Sequence, residues 1–153
     1  MGINVQEYKN MKVLVDADAC PVKGIIVKNA KKYNVPVTMI IDTSHELFDG
    51  YSTVVTVDKG RDSVDIKLIN LLQSGDIVVT QDYGVAAMAL GKGARALNQN
   101  GMVYSGNNMD RLLFERHLGQ KVRRAGGRTG TIKKRTKEND DAFEKAFIRL
   151  LEE

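Results

Sequence analysis

One stretch of the chain decides the fold: Val-Leu-Val-Asp-Ala-Asp-Ala-Cys-Pro, from Val13 to Pro21. It begins as a short apolar and β-branched run, typical of a buried strand, and ends in two carboxylates, Asp16 and Asp18. A helical pattern opens at the proline. Two acids side by side repel each other unless a cation, a phosphate or water compensates them. This strand end is therefore a candidate functional site.

Strand-like and helix-like patterns alternate along the rest of the chain. We expect strands over Lys12–Val15, Val35–Ile41, Thr53–Val57, Ile77–Thr80 and Ala94–Leu97, and helices over Pro21–Tyr33, Asp62–Gln73 and Tyr83–Leu90, from Asn107 or Asn108 to Leu118, and over Asn139–Leu151. This order favours an α/β fold with a mostly parallel central sheet, right-handed crossovers and helices on both faces, followed by a basic segment and a C-terminal helix.

Length and composition favour one domain over residues 11–153 of the 153-residue chain. Residues 1–10 are polar, and we interpret them as an N-terminal extension or a tag, with Met11 as the natural start. No apolar stretch approaches the roughly 20 residues that span a bilayer, so we expect no membrane partner. The single cysteine excludes an internal disulfide and favours a reducing, cytoplasmic location.

Positive charge is concentrated in one region. The segment 116–137 carries nine basic side chains and no acid, which leaves a net charge of −5 on the rest of the chain. Such asymmetry favours a polyanionic partner, and nucleic acid, RNA above all, is our first expectation. The candidate nucleic-acid-binding residues are Arg123, Arg124, Arg128, Lys133, Lys134 and Arg135. The alternative interpretation is a solvated basic loop.

The expected topology brings distant acids together. Asp16 and Asp18 follow the first strand, Asp82 follows the fourth, and Asp62 and Asp65 begin the helix after the third. All carboxyl ends of a parallel sheet share one edge, where ligands bind. Oxygen ligands of this kind suit Mg²⁺ or Mn²⁺, and we expect two ions, one activating water and the other stabilising the leaving oxygen of a phosphodiester.

Each acid also has a purely structural interpretation. Asp62 could cap its helix, with Asp65 placed favourably in the first turn, and Asp82 or Asp18 could cap the helix that follows it. Cys20 lies near a helix N-terminus, a position that can lower the pKa of a thiol. The favoured interpretation is nevertheless a small buried residue without a catalytic role.

Four motifs resemble the YaiI/YqxD family of uncharacterised bacterial proteins. They are Val-Asp-Ala-Asp-Ala-Cys-Pro-Val-Lys at Val15–Lys23, Thr-Gln-Asp-Tyr-Gly at Thr80–Gly84, Arg-Arg-Ala-Gly-Gly-Arg-Thr at Arg123–Thr129, and Asp-Asp-Ala-Phe at Asp140–Phe143. That family is similar to PIN-like domains, which are metal-dependent nucleases. The resemblance implies metal-binding and catalytic roles for Asp16, Asp65 and Asp82. Asp18 has no counterpart in the PIN pattern, and Glu46 is a poor match for the helical glutamate of many PIN nucleases.

Three functions compete at this point. The first is an Mg²⁺- or Mn²⁺-dependent nuclease that cleaves RNA, with DNA as a second substrate class and a homodimer as a further expectation. The second is a phosphatase of the haloacid-dehalogenase type, in which Asp16 is the nucleophile. The third is a nucleic-acid binder without catalysis, whose acids cap helices.

Overall fold

The computed structural model describes residues 11–60, 63–124 and 134–153, with Arg123 and Arg124 described in their backbone alone. In chain order, the elements are β1 (Val13–Asp16), α1 (Lys23–Lys32), β2 (Val37–Asp42), β3 (Thr53–Val57), α2 (Ser63–Leu71), β4 (Ile77–Val79), α3 (Tyr83–Gly91), β5 (Arg95–Leu97), α4 (Gly106–Arg124) and α5 (Lys137–Glu152). The predicted alternation of strands and helices is confirmed.

The five strands form one sheet in the order β3-β2-β1-β4-β5, and every pair of neighbours is parallel. After β1 the chain builds outward through β2 and β3, then returns across the sheet to add β4 on the other side of β1. The strand order therefore reverses between β1 and β4. In open α/β sheets, this switch point at the carboxyl ends is where ligands bind.

Side chains that alternate along the strands build a core on each face of the sheet. On one face, Val13 and Val15 pack in the same apolar cluster as Phe143 and Phe147 of α5 and the buried residues of α1. On the other face, Leu14 packs with residues of α2, α3 and α4. Because successive strand residues point to opposite faces, both faces need a helical cover. The result is the expected three-layer α/β architecture.

The C-terminal helix is held on its face by packing and by polar contacts. The rings of Phe143 and Phe147 stack with centroids 5.5 Å apart, and both side chains are fully buried. On α1, the buried Asn29 amide donates to Glu144 at 2.8 Å. The helix begins two residues before the predicted Asn139, because Thr136 and Asn139 form a capping box.

Predicted ends of α1 and α4 are also wrong. Helix α1 begins at Lys23 rather than Pro21, and no side chain caps it, so Asp18 is not its cap. Helix α4 is capped by Ser105, which exchanges hydrogen bonds with Asn108. That helix also continues past Leu118 to Arg124, because the good helix formers around its internal glycine outweigh the propensity cost of that residue. Residues 116–124 of the predicted basic segment are therefore helical.

The amino edge of the sheet carries a buried acid that the sequence pattern does not single out. Asp76 precedes β4 and is fully buried, and it lies 2.7 Å from the ammonium of Lys12. The same carboxylate accepts hydrogen bonds from the backbone N–H groups of Lys12, at 3.1 Å, and Gln73, at 2.9 Å. Asp76 therefore joins the starts of β1 and β4 on the side away from the switch point.

Candidate metal centre at the switch point

Two of the predicted site residues follow neighbouring strands at the switch point. Val15 of β1 pairs with Val79 of β4, so Asp16 and the residues after Val79 emerge side by side at the carboxyl edge. The negative charge of Asp82 raises the pKa of Asp16, although the two residues are 66 positions apart in the chain. We name Asp16, Asp18 and Asp82 the switch-point cluster.

The environment of Asp16 disfavours its charge. Burial raises the pKa of the Asp16 carboxyl, and the negative charges of Asp18 and Asp82 raise it further. A hydrogen bond from the Thr80 side chain acts in the opposite direction but does not cancel these effects on the pKa. A divalent cation among these carboxylates would remove the repulsion, so the donor set fits Mg²⁺ or Mn²⁺.

Thr80 organises the cluster, and sequence reasoning missed it. Its side chain is buried and lowers the pKa of Asp16, and its hydroxyl oxygen accepts the backbone N–H of Asp82 at 3.0 Å. Its carbonyl oxygen accepts a hydrogen bond from the buried Tyr104 hydroxyl at 3.1 Å. One threonine therefore positions Asp82, favours the charged form of Asp16 and is connected to the core.

Asp82 has a structural role as well as a place in the cluster. Its Oδ1 atom accepts the backbone N–H of Val85 at 3.1 Å, so Asp82 is the N-cap of α3, as the capping alternative predicted. Capping occupies one carboxylate oxygen, and a carboxylate has two. Capping and cation binding by Asp82 are therefore compatible.

A small open cleft borders the cluster. Its cavity volume of about 50 Å³ exceeds the roughly 10–15 Å³ that one water molecule requires. It is lined by Asp16, Ala19, Cys20, Val79, Thr80, Gln81 and Gln99. The cleft therefore has room for a few water molecules or a small ion, and a larger substrate would extend beyond it.

Asp18 faces a different set of partners than Asp82 does. Its carboxylate accepts the backbone N–H of Asp42, at the end of β2, at 3.2 Å. The Nδ1 atom of His45 lies 3.0 Å from Asp18 Oδ1 and 3.3 Å from Asp42 Oδ1. Sequence reasoning missed Asp42 and His45, although Asp42 ends its strand as Asp16 ends β1. The same sheet-edge logic would have found Asp42.

Of the two acids predicted at the start of α2, Asp65 lies within the described residues. Asp65 lies half-buried in the first turn of α2, as predicted. Asp62 lies outside the described residues, and its predicted role stays a prediction. The membership of Asp65 in the switch-point cluster also stays a prediction. Glu46 is exposed in the segment after β2, outside any helix.

The predicted nucleic-acid-binding residues fall into four groups. Arg128 and Lys133 lie outside the described residues, while Arg123 and Arg124 form the end of α4. Lys134 is exposed. Arg135 donates to Asp140, to Asn100 and to the carbonyl oxygen of Gln99, each at 2.7 Å, so it joins the start of α5 to the loop after β5. Binding of nucleic acid by these side chains stays a prediction.

Cys20 follows the structural interpretation favoured from the sequence, and Tyr104 lies in the core nearby. Cys20 is buried beside the cleft, and burial raises the pKa of its thiol, so a thiolate nucleophile is disfavoured. Tyr104 is buried with its ring edge-on to Tyr83, 6.1 Å between centroids. Burial, with Tyr83 and Asp82 nearby, raises the pKa of Tyr104 to about 12. Tyr104 is therefore a core residue.

Fold and site together define the class: a parallel α/β protein with a carboxylate cluster at the switch point of its sheet. The chain belongs to the YaiI/YqxD family, because the model described as uncharacterised BCR, YaiI/YqxD family, matches residues 14–153. This confirms the family resemblance of the sequence motifs. The broader resemblance to PIN-like domains stays a prediction.

Close relatives carry the name UPF0178 protein. The chain is 79% identical to one from Ruminiclostridium cellulolyticum over 141 residues, covering 92% of each chain. It is 56% identical to one from Alkaliphilus oremlandii over 143 residues, covering 94% of this chain and 92% of the relative. It is 52% identical to one from Clostridium acetobutylicum over 143 residues, covering 92% of this chain and 97% of the relative. No solved structure matches the chain. Within the described residues, no helix combines the length and the apolar character needed to cross a membrane.

Proposed function

We propose that this protein is a metal-dependent nuclease that hydrolyses phosphodiester bonds of RNA. The observation that carries the proposal is the position of Asp16 at the switch point, where it lines a small cleft, follows the strand next to that of Asp82 and is affected by the Asp82 charge. Carboxylates held together in this way are costly without a cation. A polyanionic substrate is favoured by the basic residues in the sequence at the end of α4 and by the exposed Lys134.

Asp16 and Asp82 would hold the cation, and we include Asp65 in the ligand set from its place at the start of α2. Mg²⁺ or Mn²⁺ in such a site activates water and stabilises developing charge on phosphate oxygens. Thr80 keeps Asp82 in position through the hydrogen bond to its backbone and lowers the pKa of Asp16, which favours the charged carboxylate. The cleft is small, so the scissile phosphate enters it while the rest of the strand stays outside.

The decisive variant is Asp82→Asn. Asparagine caps helices about as well as aspartate, so this substitution keeps α3 capped and removes only the charge. We expect wild-type protein to cleave a fluorescent single-stranded RNA with Mn²⁺ or Mg²⁺ and to lose this activity in EDTA. Asp82→Asn and Asp16→Asn should each reduce the rate by about 100-fold or more. The matched control is Asp141→Asn, which removes an exposed acid from α5 and should leave the rate unchanged.

The same experiment separates the alternatives. Equal cleavage by wild type and Asp82→Asn would contradict the proposal. Binding of RNA that is sensitive to salt and indifferent to EDTA, without cleavage, would favour a nucleic-acid binder. Trapping of an aspartyl-phosphate analogue on Asp16, together with hydrolysis of a phosphate monoester, would favour the phosphatase. A DNA strand of the same sequence, tested in parallel, defines the substrate class.

A further inference from the structure

We propose that Asp18, Asp42 and His45 form a second cation site, selective for a divalent transition metal such as Zn²⁺, at the carboxyl ends of β1 and β2. We name these three residues the β1–β2 cluster. The site lies on the other side of β1 from Asp82, and it requires no nuclease activity. Asp18 belongs to both clusters by position, but its hydrogen bonds and its ion pair are with the β1–β2 side.

The first support for this site is the spacing of its donor atoms. The three residues each offer one ligand atom, and these atoms all lie within 4.8 Å of one another. The His45 nitrogen is 3.0 Å from Asp18 Oδ1 and 3.3 Å from Asp42 Oδ1. Ligand bonds of about 2.0–2.2 Å, at tetrahedral or octahedral angles, place neighbouring donors about 3.0–3.5 Å apart. Two of the three separations therefore already match those of ligands on one ion.

The chemistry of the imidazole gives the second support. Because His45 Nδ1 faces two carboxylate oxygens, it must carry a hydrogen between them. That hydrogen occupies the place of a cation that both acids and the imidazole nitrogen would share. Binding of a metal at Nδ1 moves this hydrogen to Nε2, and the neutral imidazole then offers the Nδ1 lone pair to the ion. The cluster is thus arranged around a single position for positive charge.

The backbone holds both acids where a metal would need them. The Asp42 N–H donates to Asp18, and the Ser44 N–H donates to Asp42 Oδ1 at 2.8 Å. The Ser44 hydroxyl also donates to Asp42 Oδ1. Contacts of this kind fix the orientation of metal ligands. The side chains of Asp18, Asp42 and His45 are 21, 27 and 52% exposed, so water can complete the coordination.

The donor types set the selectivity. Mg²⁺ prefers oxygen alone, whereas imidazole nitrogen suits Zn²⁺, Fe²⁺ and Ni²⁺. The switch-point cluster offers oxygen donors, and the β1–β2 cluster adds a nitrogen. The two clusters therefore differ in the metal that they favour.

Metal titration with a matched pair of histidine variants tests the proposal. We expect the full-length protein to bind one Zn²⁺ by calorimetry, and to bind Co²⁺ with a visible absorption spectrum. His45→Ala should weaken Zn²⁺ binding at least about tenfold and remove the Co²⁺ spectrum. Asp42→Asn should also weaken binding. The control His117→Ala, on an exposed position of α4, should bind as the wild type does.

Two results would overturn the proposal. One is a wild-type protein that binds neither Zn²⁺ nor Co²⁺ at 100 times the protein concentration. The other is a folded His45→Ala variant, verified by circular dichroism, with unchanged affinity. The variant Asp16→Asn separates this proposal from the nuclease proposal, because it should abolish RNA cleavage while Zn²⁺ binding persists. Failure of either proposal is thus visible without the other.

Discussion

Asp76 offers a quantitative test of the forces that join the two halves of the sheet. Its fully buried carboxylate receives the Lys12 ammonium and two backbone N–H groups. The substitution Asp76→Ala removes all three contacts and leaves the ammonium and the amides without their acceptor. Removing one partner of a buried ion pair costs about 3–5 kcal/mol. Because the Lys12 side chain is 24% exposed and can reach water, we expect the lower end, about 3 kcal/mol.

This loss is large enough to measure in two ways. For a chain of this length, 1 kcal/mol corresponds to about 3 °C in Tm, so Asp76→Ala should melt about 9 °C below the wild type. Urea unfolding followed by circular dichroism should show a lower midpoint with an unchanged slope. The variant Asp76→Asn keeps one acceptor oxygen and should lose less stability than Asp76→Ala. The Tm should therefore fall in the order wild type, Asp76→Asn, Asp76→Ala.

A matched control removes an acid without these contacts. Asp110 is exposed on α4, and Asp110→Ala should change the free energy of unfolding by less than about 0.5 kcal/mol. A loss below 1 kcal/mol for Asp76→Ala would refute the reasoning, because it would show that water replaces all three contacts. Metal binding by Asp76→Asn should match that of the wild type, since Asp76 lies at the amino edge of the sheet.

Three further predictions concern charge, glycine and pH. Asp16→Asn should raise Tm in EDTA by about 3 °C, which corresponds to a gain on the order of 1 kcal/mol in the free energy of unfolding. The reason is that the substitution neutralises a buried carboxylate that the charges of Asp18 and Asp82 repel. A lower Tm would contradict the repulsion inferred for the switch-point cluster. Gly101→Ala should cost about 2 kcal/mol or more, because a Cβ there would lie 2.5 Å from a carbonyl oxygen of α5 and φ is +87°. By contrast, Gly24→Ala, in the open on α1, should leave Tm unchanged or raise it. The hydrogen bond from the Asn29 side chain lowers the pKa of Glu144 in the folded protein. The charged Glu144 therefore stabilises the fold above pH 4.5, the ordinary pKa, and this stabilisation is lost as the pH falls through the lower pKa of the folded state. Glu144→Gln should therefore cost about 0.5–1 kcal/mol at pH 7 and less at pH 3, measured as urea midpoints; an equal loss at both pH values would contradict the assignment.

The fold was largely predictable from local patterns. Alternation of apolar strands with amphipathic helices specifies a parallel sheet, and the carboxyl edge then follows from topology. The helix ends were harder to place. Asn108 and Asn139 look like caps in the sequence, but each serves as the third helical residue of a box whose cap is Ser105 or Thr136. Both residue types suit both positions, so composition does not separate them.

The candidate site was predictable only in part. The positions of Asp16 and Asp82 at the carboxyl edge of the sheet could be predicted from sheet topology. The role of Thr80 depends on the hydrogen bond that its hydroxyl oxygen accepts from the Asp82 backbone, and no sequence spacing indicates that contact. His45 has no periodic signal, since it lies in an irregular segment after β2. Asp76 resembles a turn residue in the sequence, and its burial becomes visible only when β1 and β4 are placed side by side.

The pairing of β1 with β4 also has a consequence for the order of folding. Val13 pairs with Ile77, so this contact closes a loop of more than sixty residues, and such non-local contacts form slowly. Asp16 and Asp82 cannot meet before that closure. A cation that needs both acids would find no binding site on a nascent or partly folded chain. It would bind the native topology alone, and its whole binding energy would stabilise the folded state.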